Sequence, residues 1–249
     1  MSASTAESVA EQLRTERAAW ESRPLLRALY AEWFGRVADH LSPVEGPTVE
    51  LGSGIGAFKK FRPETVATDV VETLWADAVV DAQELPYEDR SVANFVLIDV
   101  LHHVPEPGRF FAEAERALRP GGRVVVVDPY CGPISAPLYK LFHFERTDLR
   151  VDLFAEGAQS GDDPFDSNQA LTTLIFWRHL EQFRSRHPAL EVVSRERFGL
   201  VAYPLSGGFS GRQLVPYRLL GVLRFAERLL QPLAPLAAFR CLVALEKRA

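Results

Sequence analysis

The residues best able to do chemistry gather where short apolar runs end. Val49-Glu50-Leu51 leads into Gly52-Ser53-Gly54-Ile55-Gly56, with three glycines at alternate positions. Without Cβ atoms, that backbone can take positive φ and let a ligand come close, and the helix expected next offers unpaired N–H groups. Asp69 closes the following run, Val66–Asp69, near the position where a carboxylate accepts both hydroxyls of a ribose. A third run ends in Val80-Asp81-Ala82-Gln83-Glu84-Leu85-Pro86. There Asp81 can accept from an adenine amino group while the Ala82 N–H donates to a ring nitrogen; a plain turn-forming aspartate is the competing reading. Together these residues describe a place for an adenosyl cofactor. They do not choose among such cofactors, because Gly52-x-Gly54-x-x-Ala57 also satisfies the relaxed dinucleotide fingerprint.

His102 and His103 follow the fourth run, Phe95–Ile98. Imidazole suits proton transfer near neutrality, so both are candidate catalytic residues, as a base or as groups that position an acceptor. The alternative is structural, with one ring bonded to backbone at the turn. Tyr130, His143, Asn168 and Gln169 come from the zone expected to roof an acceptor and are candidate substrate residues. Asp162, Asp163 and Asp166 lack a histidine or a second acidic cluster to complete a site, so no metal is expected. Cys131 and Cys241 are too few and too far apart for a disulfide framework or a zinc site.

The elements that position these residues can be read from periodicity. Thr48–Leu51, Val66–Asp69, Ala78–Asp81, Phe95–Ile98 and Val124–Val127 are strand candidates, separated by helical patterns as βαβ units require. Four consecutive valines at 124–127 suit a strand covered on both faces. A helix over Pro107–Leu118 carries Phe110, Phe111, Ala114, Ala117 and Leu118 on one side, and Pro120-Gly121-Gly122 ends it. Only about ten residues separate Gly56 from the second strand, so the helix between them must be short. Residues 1–45 read as a helical cap, with Leu25, Leu29, Trp33 and Val37 at helical spacing and Leu26 and Phe34 widening the stripe. Residues 46–130 form the core. Residues 131–249 complete the sheet and supply a specificity region, with a helix over Ala170–Phe183 and strands near Val192–Arg195 and Cys241–Leu245.

Four segments in order, Glu50–Gly56, Asp81–Pro86, Asp99-Val100-Leu101-His102-His103-Val104-Pro105 and Leu118-Arg119-Pro120-Gly121-Gly122, resemble the successive motifs of class I S-adenosylmethionine-dependent methyltransferases, most closely the type 11 subgroup. The resemblance covers residues 48–128. It implies an α/β, Rossmann-like, seven-stranded, mostly parallel sheet with its last strand antiparallel and helices on both faces. It implies S-adenosylmethionine as cofactor. Carried over by position, Gly52, Gly54 and Gly56 surround the methionine part, Asp69 takes the ribose, Asp81 and Ala82 the adenine, and Asp99 or Val100 lines the floor after the fourth strand. Glu50, Ser53 and Val70 complete the expected cofactor-binding residues. The expected reaction is methyl transfer, on oxygen, to a small-molecule, sugar or lipid-linked acceptor. The stretch Tyr203–Ser210 also resembles type 11 members associated with glycan clusters, which implies a sugar or lipid-linked glycan. A nicotinamide-dependent oxidoreductase and a non-catalytic methyltransferase-like partner stay open as alternatives.

The chain has 249 residues, 47% apolar and 24% charged, with a net charge of −5. That balance excludes the basic surplus by which nucleic-acid binders are recognised, so no nucleic-acid partner is expected. The first residues hold acids and no apolar core of a signal peptide, and a cytoplasmic protein is expected. Residues 214–230 mix an apolar surface with Arg218, Arg224 and Arg228. A core or homodimer helix is the plainer reading of that stretch, and a peripheral membrane contact is the other.

Overall fold

The computed structural model describes residues 3–142, 145–151, 167–209 and 211–249. Strands β1 (Thr48–Leu51), β2 (Val66–Asp69), β3 (Ala78–Val79), β4 (Val92–Ile98), β5 (Leu118–Pro129), β6 (Leu190–Phe198) and β7 (Arg240–Lys247) form one sheet in the order β3-β2-β1-β4-β5-β7-β6. β1 pairs in parallel with both β2 and β4, while β7 runs antiparallel between β5 and β6. The strand order therefore reverses between β1 and β4, and a crevice opens there at the carboxyl ends of the strands.

The valines of β5 show why the sheet is covered twice. Val124 and Val126 point into one core with Phe95, Leu97, Phe110, Phe111 and Ala114, the last three from α4 (Pro107–Ala117). Val125 and Val127 point into the other with Leu25, Leu29, Trp33 and Val37 of α2 (Pro24–His40). The period of two along a strand makes this division automatic. Helix α1 (Ala3–Ser22) precedes α2, and Pro24 stands at the first turn of α2, where its missing N–H costs nothing.

Several elements differ from expectation. β3 has two residues, so Asp81 lies beyond it. Strand β5 begins at Leu118, paired with Val92, and a bulge lets the Pro120-Gly121-Gly122 turn sit inside the strand. The helix expected over 170–183 is broken into α6 (Leu171–Thr173), a π turn (Leu174–Arg178) and α7 (Leu180–Arg186). The His179 N–H bonds back to Leu174 O, five residues away, and that wider turn ends the α geometry. After β1, helix α3 (Ala57–Phe61) is short, as the residue count requires. Helices α5 (Ser135–Phe142), α8 (Ala202–Ser206), α9 (Leu220–Leu230) and α10 (Ala234–Ala237) complete the described elements. The core-helix reading of 214–230 is corrected. Of α9 only Leu220 and Leu223 are buried, while Val222, Phe225 and Leu229 face outward. Among the described residues no helix is long and apolar enough to cross a membrane.

Candidate active site

A cavity of about 670 Å³ lies over the carboxyl ends of β1, β2 and β4, with α1 across it. Its floor is the turn after β1. Gly52 has φ 69°, and a Cβ there would lie 2.4 Å from Val100 Cγ2, so only glycine fits. Gly54 has φ 49°, and a Cβ there would meet nothing nearer than Leu13 Cδ2 at 3.9 Å. The missing side chain at Gly54 is thus room left for a ligand. Asp69 Oδ2 accepts from the Gly54 N–H at 2.9 Å and holds the turn open. Burial pushes the Asp69 carboxyl up, against the hydrogen bonds it accepts from Gly54 and Val71.

Among the described residues, the buried Glu50 Oε2 and Ser53 Oγ of this floor have no hydrogen-bond partner. Burial, reinforced by Asp69, pushes the Glu50 carboxyl well above the usual range. An unsatisfied buried carboxylate is costly, and an ammonium group of a ligand would relieve it. The bare-backbone cradle, the orphaned Glu50 oxygen and the adjacent Asp69 together fit an amino-acid-bearing adenosyl cofactor.

The wall after β4 is built on an unusual backbone. Asp99 has φ 59°, a left-handed conformation uncommon for a residue with a side chain. Its side chain holds it there. The Arg240 guanidinium donates to Asp99 Oδ1, and Tyr30 Oη donates to Oδ2 at 2.6 Å. Arg240 is 2% exposed, stacks over Trp33 and Tyr203 at 4.8 and 5.1 Å, and begins β7. One ion pair therefore joins α2, β4 and β7 at the cavity.

A second buried network follows. His102 Nδ1 bonds Asp128 Oδ1 at 2.7 Å, and its Nε2 lies 3.4 Å from Glu145 Oε2. Thr172 donates to the other Asp128 oxygen, and Gln169 donates to Glu145. Burial alone would lower the imidazole pKa, but Asp128 and then Glu145 outweigh it and push it up to about 10. The two carboxylates thus favour the charged form of the His102 imidazole. Donor atoms of His102, His103 and Glu145 fall within 4.8 Å of one another, the kind of set that holds a metal. Within that set His102 Nε2 already faces Glu145 Oε2, and Asp128 holds its Nδ1.

Away from the strand ends, the cavity lining is aromatic and acidic. Trp20, Tyr30, Phe34, Tyr203 and Phe209 line it, with Glu16 from α1 and Glu145. Phe209 packs on Trp20 and Tyr30, and Arg23 Nη1 bonds Gly208 O at 2.6 Å, so the 207–209 turn is tied to the α1–α2 junction. Desolvation raises the Glu16 pKa to about 7, with Asp99, Glu145 and Asp69 adding to it against a bond from Gln12. Among the described residues, Arg240 is the only Lys or Arg lining the cavity, and Asp99 already holds it.

Of the residues expected from sequence, Glu50, Gly52, Ser53, Gly54, Asp69, Val70, Asp99, Val100, His102, His103 and Gln169 line the cavity. The others do not. Gly56 caps α3 against Trp75. Asp81 is exposed and accepts the Gln83 N–H at 2.8 Å in a local turn; Ala82 follows it. Both lie just past Val80, whose N–H bonds Asp69 O, and so stand beyond the Asp69 edge of the cavity. Tyr130 is corrected as a substrate residue: its ring packs on Trp177 and its hydroxyl bonds Pro235 O. Asn168 is likewise spent inside the protein, accepting from Asp148 and Ala170 and donating to Asp148 O. His143 lies outside the described residues.

Sequence reasoning missed Glu16, Tyr30, Asp128, Glu145, Phe209 and Arg240. Asp128 ends a β-branched run, as Asp69 does, and that position was a usable signal. A glutamate on an acid-rich helix and an arginine preceding an apolar strand look like solvated flanks.

Residues 49–126 match the family model described as a methyltransferase domain. Phosphatidylethanolamine N-methyltransferase of Cereibacter sphaeroides is 28% identical over 150 residues, covering 48% of this chain and 74% of that protein. The 27-O-demethylrifamycin SV methyltransferase of Amycolatopsis mediterranei is 41% identical over 58 residues, covering 23% of this chain and 21% of its own. In fold, the chain is similar to an S-adenosylmethionine-dependent methyltransferase of Thermotoga maritima, with TM-score 0.58 and 16% identity over 97% of this chain and 99% of the other. The 3-2-1-4-5-7-6 sheet, the glycine cradle and the matched methyltransferase domain over residues 49–126 together support a class I S-adenosylmethionine-dependent methyltransferase.

Proposed function

We propose that the acceptor is an amine and that the methyl group is delivered to nitrogen. The observation that carries this is the acceptor side of the cavity, where carboxylates and aromatic rings face inward and the lone guanidinium is neutralised by Asp99. Such a wall favours a cationic or neutral guest over a phosphate or carboxylate, because ring faces and carboxylates both attract an ammonium. The phosphatidylethanolamine N-methyltransferase relative, whose printed name describes an amine substrate, is consistent with this reading.

The cofactor supplies an electrophilic methyl on a sulfonium, and the protein's task is alignment, exclusion of water and removal of a proton. An ammonium cannot attack until it loses a proton. Glu16, with its pKa near 7, is placed to take that proton. With that proton held on Glu16, the amine lone pair would be free to accept the methyl group that the bound cofactor would supply. An oxygen acceptor was expected, with His102 or His103 as a candidate base. Here Asp128 and Glu145 favour the charged form of His102, and its part would be to fix Glu145 at the acceptor. Glu50 and Ser53 would take the cofactor's amino-acid end and Asp69 its ribose. Val70, Asp81 and Ala82 would be the residues to hold its adenine. The buried free thiols of Cys131 and Cys241 suit a reducing, cytoplasmic setting.

The test is a matched acceptor panel with methyl-labelled cofactor: ethanolamine-type amines against the corresponding diols and glycosides. Label in the amines alone is expected; label only in hydroxyl acceptors would refute the reading.

A further inference from the structure

We infer that the segment from Leu214 to Leu236 is a docking surface for an anionic lipid bilayer. The segment presents its apolar side to solvent. Leu214 and Leu229 are each 69% exposed, Phe225 68% and Val222 63%, and past α9 Leu233 and Leu236 are exposed as well. Val222, Phe225 and Leu229 stand at i, i+3 and i+7, which is one face of a helix. Large apolar side chains gathered on one exposed helix face mark an interaction site.

Charge selects the occupant. Residues 211–236 carry Arg212, Arg218, Arg224 and Arg228 against one acid, Glu227, in a chain whose net charge is −5. Glu227 is turned inward, accepting the N–H groups of Leu200, Val201 and Ala202. Arg224 pairs with Glu32, while Arg212, Arg218 and Arg228 have no acidic partner within 4.0 Å among the described residues. A second copy docked through a twofold axis would set these arginines against one another. An anionic headgroup layer would complement them, with the apolar row reaching the acyl boundary. The surface also adjoins the acceptor side of the cavity, because the Leu214 N–H bonds Leu205 O and the same turn carries Tyr203 and Phe209 into the cavity wall. A bilayer-bound enzyme would thus open its acceptor end toward the membrane. This inference stands apart from the choice of amine, since vesicle binding is read without any methyl transfer.

The experiment is flotation of the full chain with vesicles of phosphatidylcholine containing about a third phosphatidylglycerol, compared with phosphatidylcholine alone, beside sedimentation of the protein without lipid. The expected result is binding to the anionic vesicles, weakened by salt as surface charge is screened. Phe225→Ser with Leu229→Ser should weaken it at least tenfold, and Arg218→Ser with Arg228→Ser on the order of tenfold. These side chains are exposed, so both variants keep the wild-type circular dichroism and thermal midpoint. Three results would overturn the inference: folded wild type that does not float with anionic vesicles, binding unchanged by the Phe225/Leu229 pair, or a lipid-indifferent dimer that this pair turns into a monomer.

Discussion

Replacing Asp99 by asparagine should be more damaging than replacing its partner Arg240 by methionine, and the reason lies in which group can reach water. The Arg240 side chain is 2% exposed and the Asp99 side chain 28%. Asp99→Asn leaves a guanidinium sealed among Trp33, Tyr203 and the sheet with no counter-charge, the situation that costs about 3–5 kcal/mol. Arg240→Met leaves a carboxylate that can rehydrate from the cavity and keeps the Tyr30 bond, so the loss should fall to about 2–3 kcal/mol, mostly stacking and packing. The double variant has no buried charge left and should cost less than the two single losses added, with a coupling of about 2 kcal/mol. Urea unfolding of the four proteins at pH 7 measures this directly. For a chain of this size each kcal/mol moves the thermal midpoint by about 2–4 °C, so Asp99→Asn should melt about 6–20 °C lower. Additive losses, or an asparagine variant within about 1 kcal/mol of wild type, would refute the claim that this pair anchors the wall after β4.

Three further outcomes follow from the site. Glu16, with its pKa raised to about 7, is a base only above that pH, so kcat/KM should rise with pH through about 7. Glu16→Gln should lose that limb and about a hundredfold in rate; retention of the limb excludes this base. Because ionising Glu16 opposes folding as pH climbs from 4.5 to 7, the glutamine variant should gain stability relative to wild type over that span, read by thermal melts at pH 4 and 8. Asp128→Asn removes the chief support of the His102 cation, so its imidazole should titrate well below the wild-type value of about 10 in a nuclear magnetic resonance titration; an unmoved midpoint contradicts the network. Finally, Asp81→Ala should weaken S-adenosylhomocysteine binding about fivefold to tenfold, the worth of one hydrogen bond, and unchanged calorimetric affinity would return Asp81 to a turn former.

The sheet was legible because its strands are buried on both faces and punctuated by glycine and aspartate. The run Val124–Val127 and the turn Gly52–Gly56 state their roles locally. Elements fixed by tertiary contact were not legible. The π turn at Leu174–Arg178 has no local marker, and the two-residue β3 ends early because its pairing with β2 stops at Val79. Half of the cavity was visible on the same terms. Glu50, Asp69, Asp99 and His102 stand at strand ends, where the fold class places ligands. Glu16, Glu145 and Arg240 reach the cavity only through the packing of α1, the 145–151 segment and β7. No spacing rule links residue 240 to residue 99; a buried ion pair does.

The most direct test is calorimetric titration of S-adenosylhomocysteine into the purified chain, beside a Gly54→Val variant. One site per chain is predicted for wild type. Valine at position 54 should abolish it, because its side chain would enter the space the ligand needs at a φ of 49°. A folded wild-type protein that gives neither heat nor a thermal shift, or a valine variant that binds as well, would contradict the account.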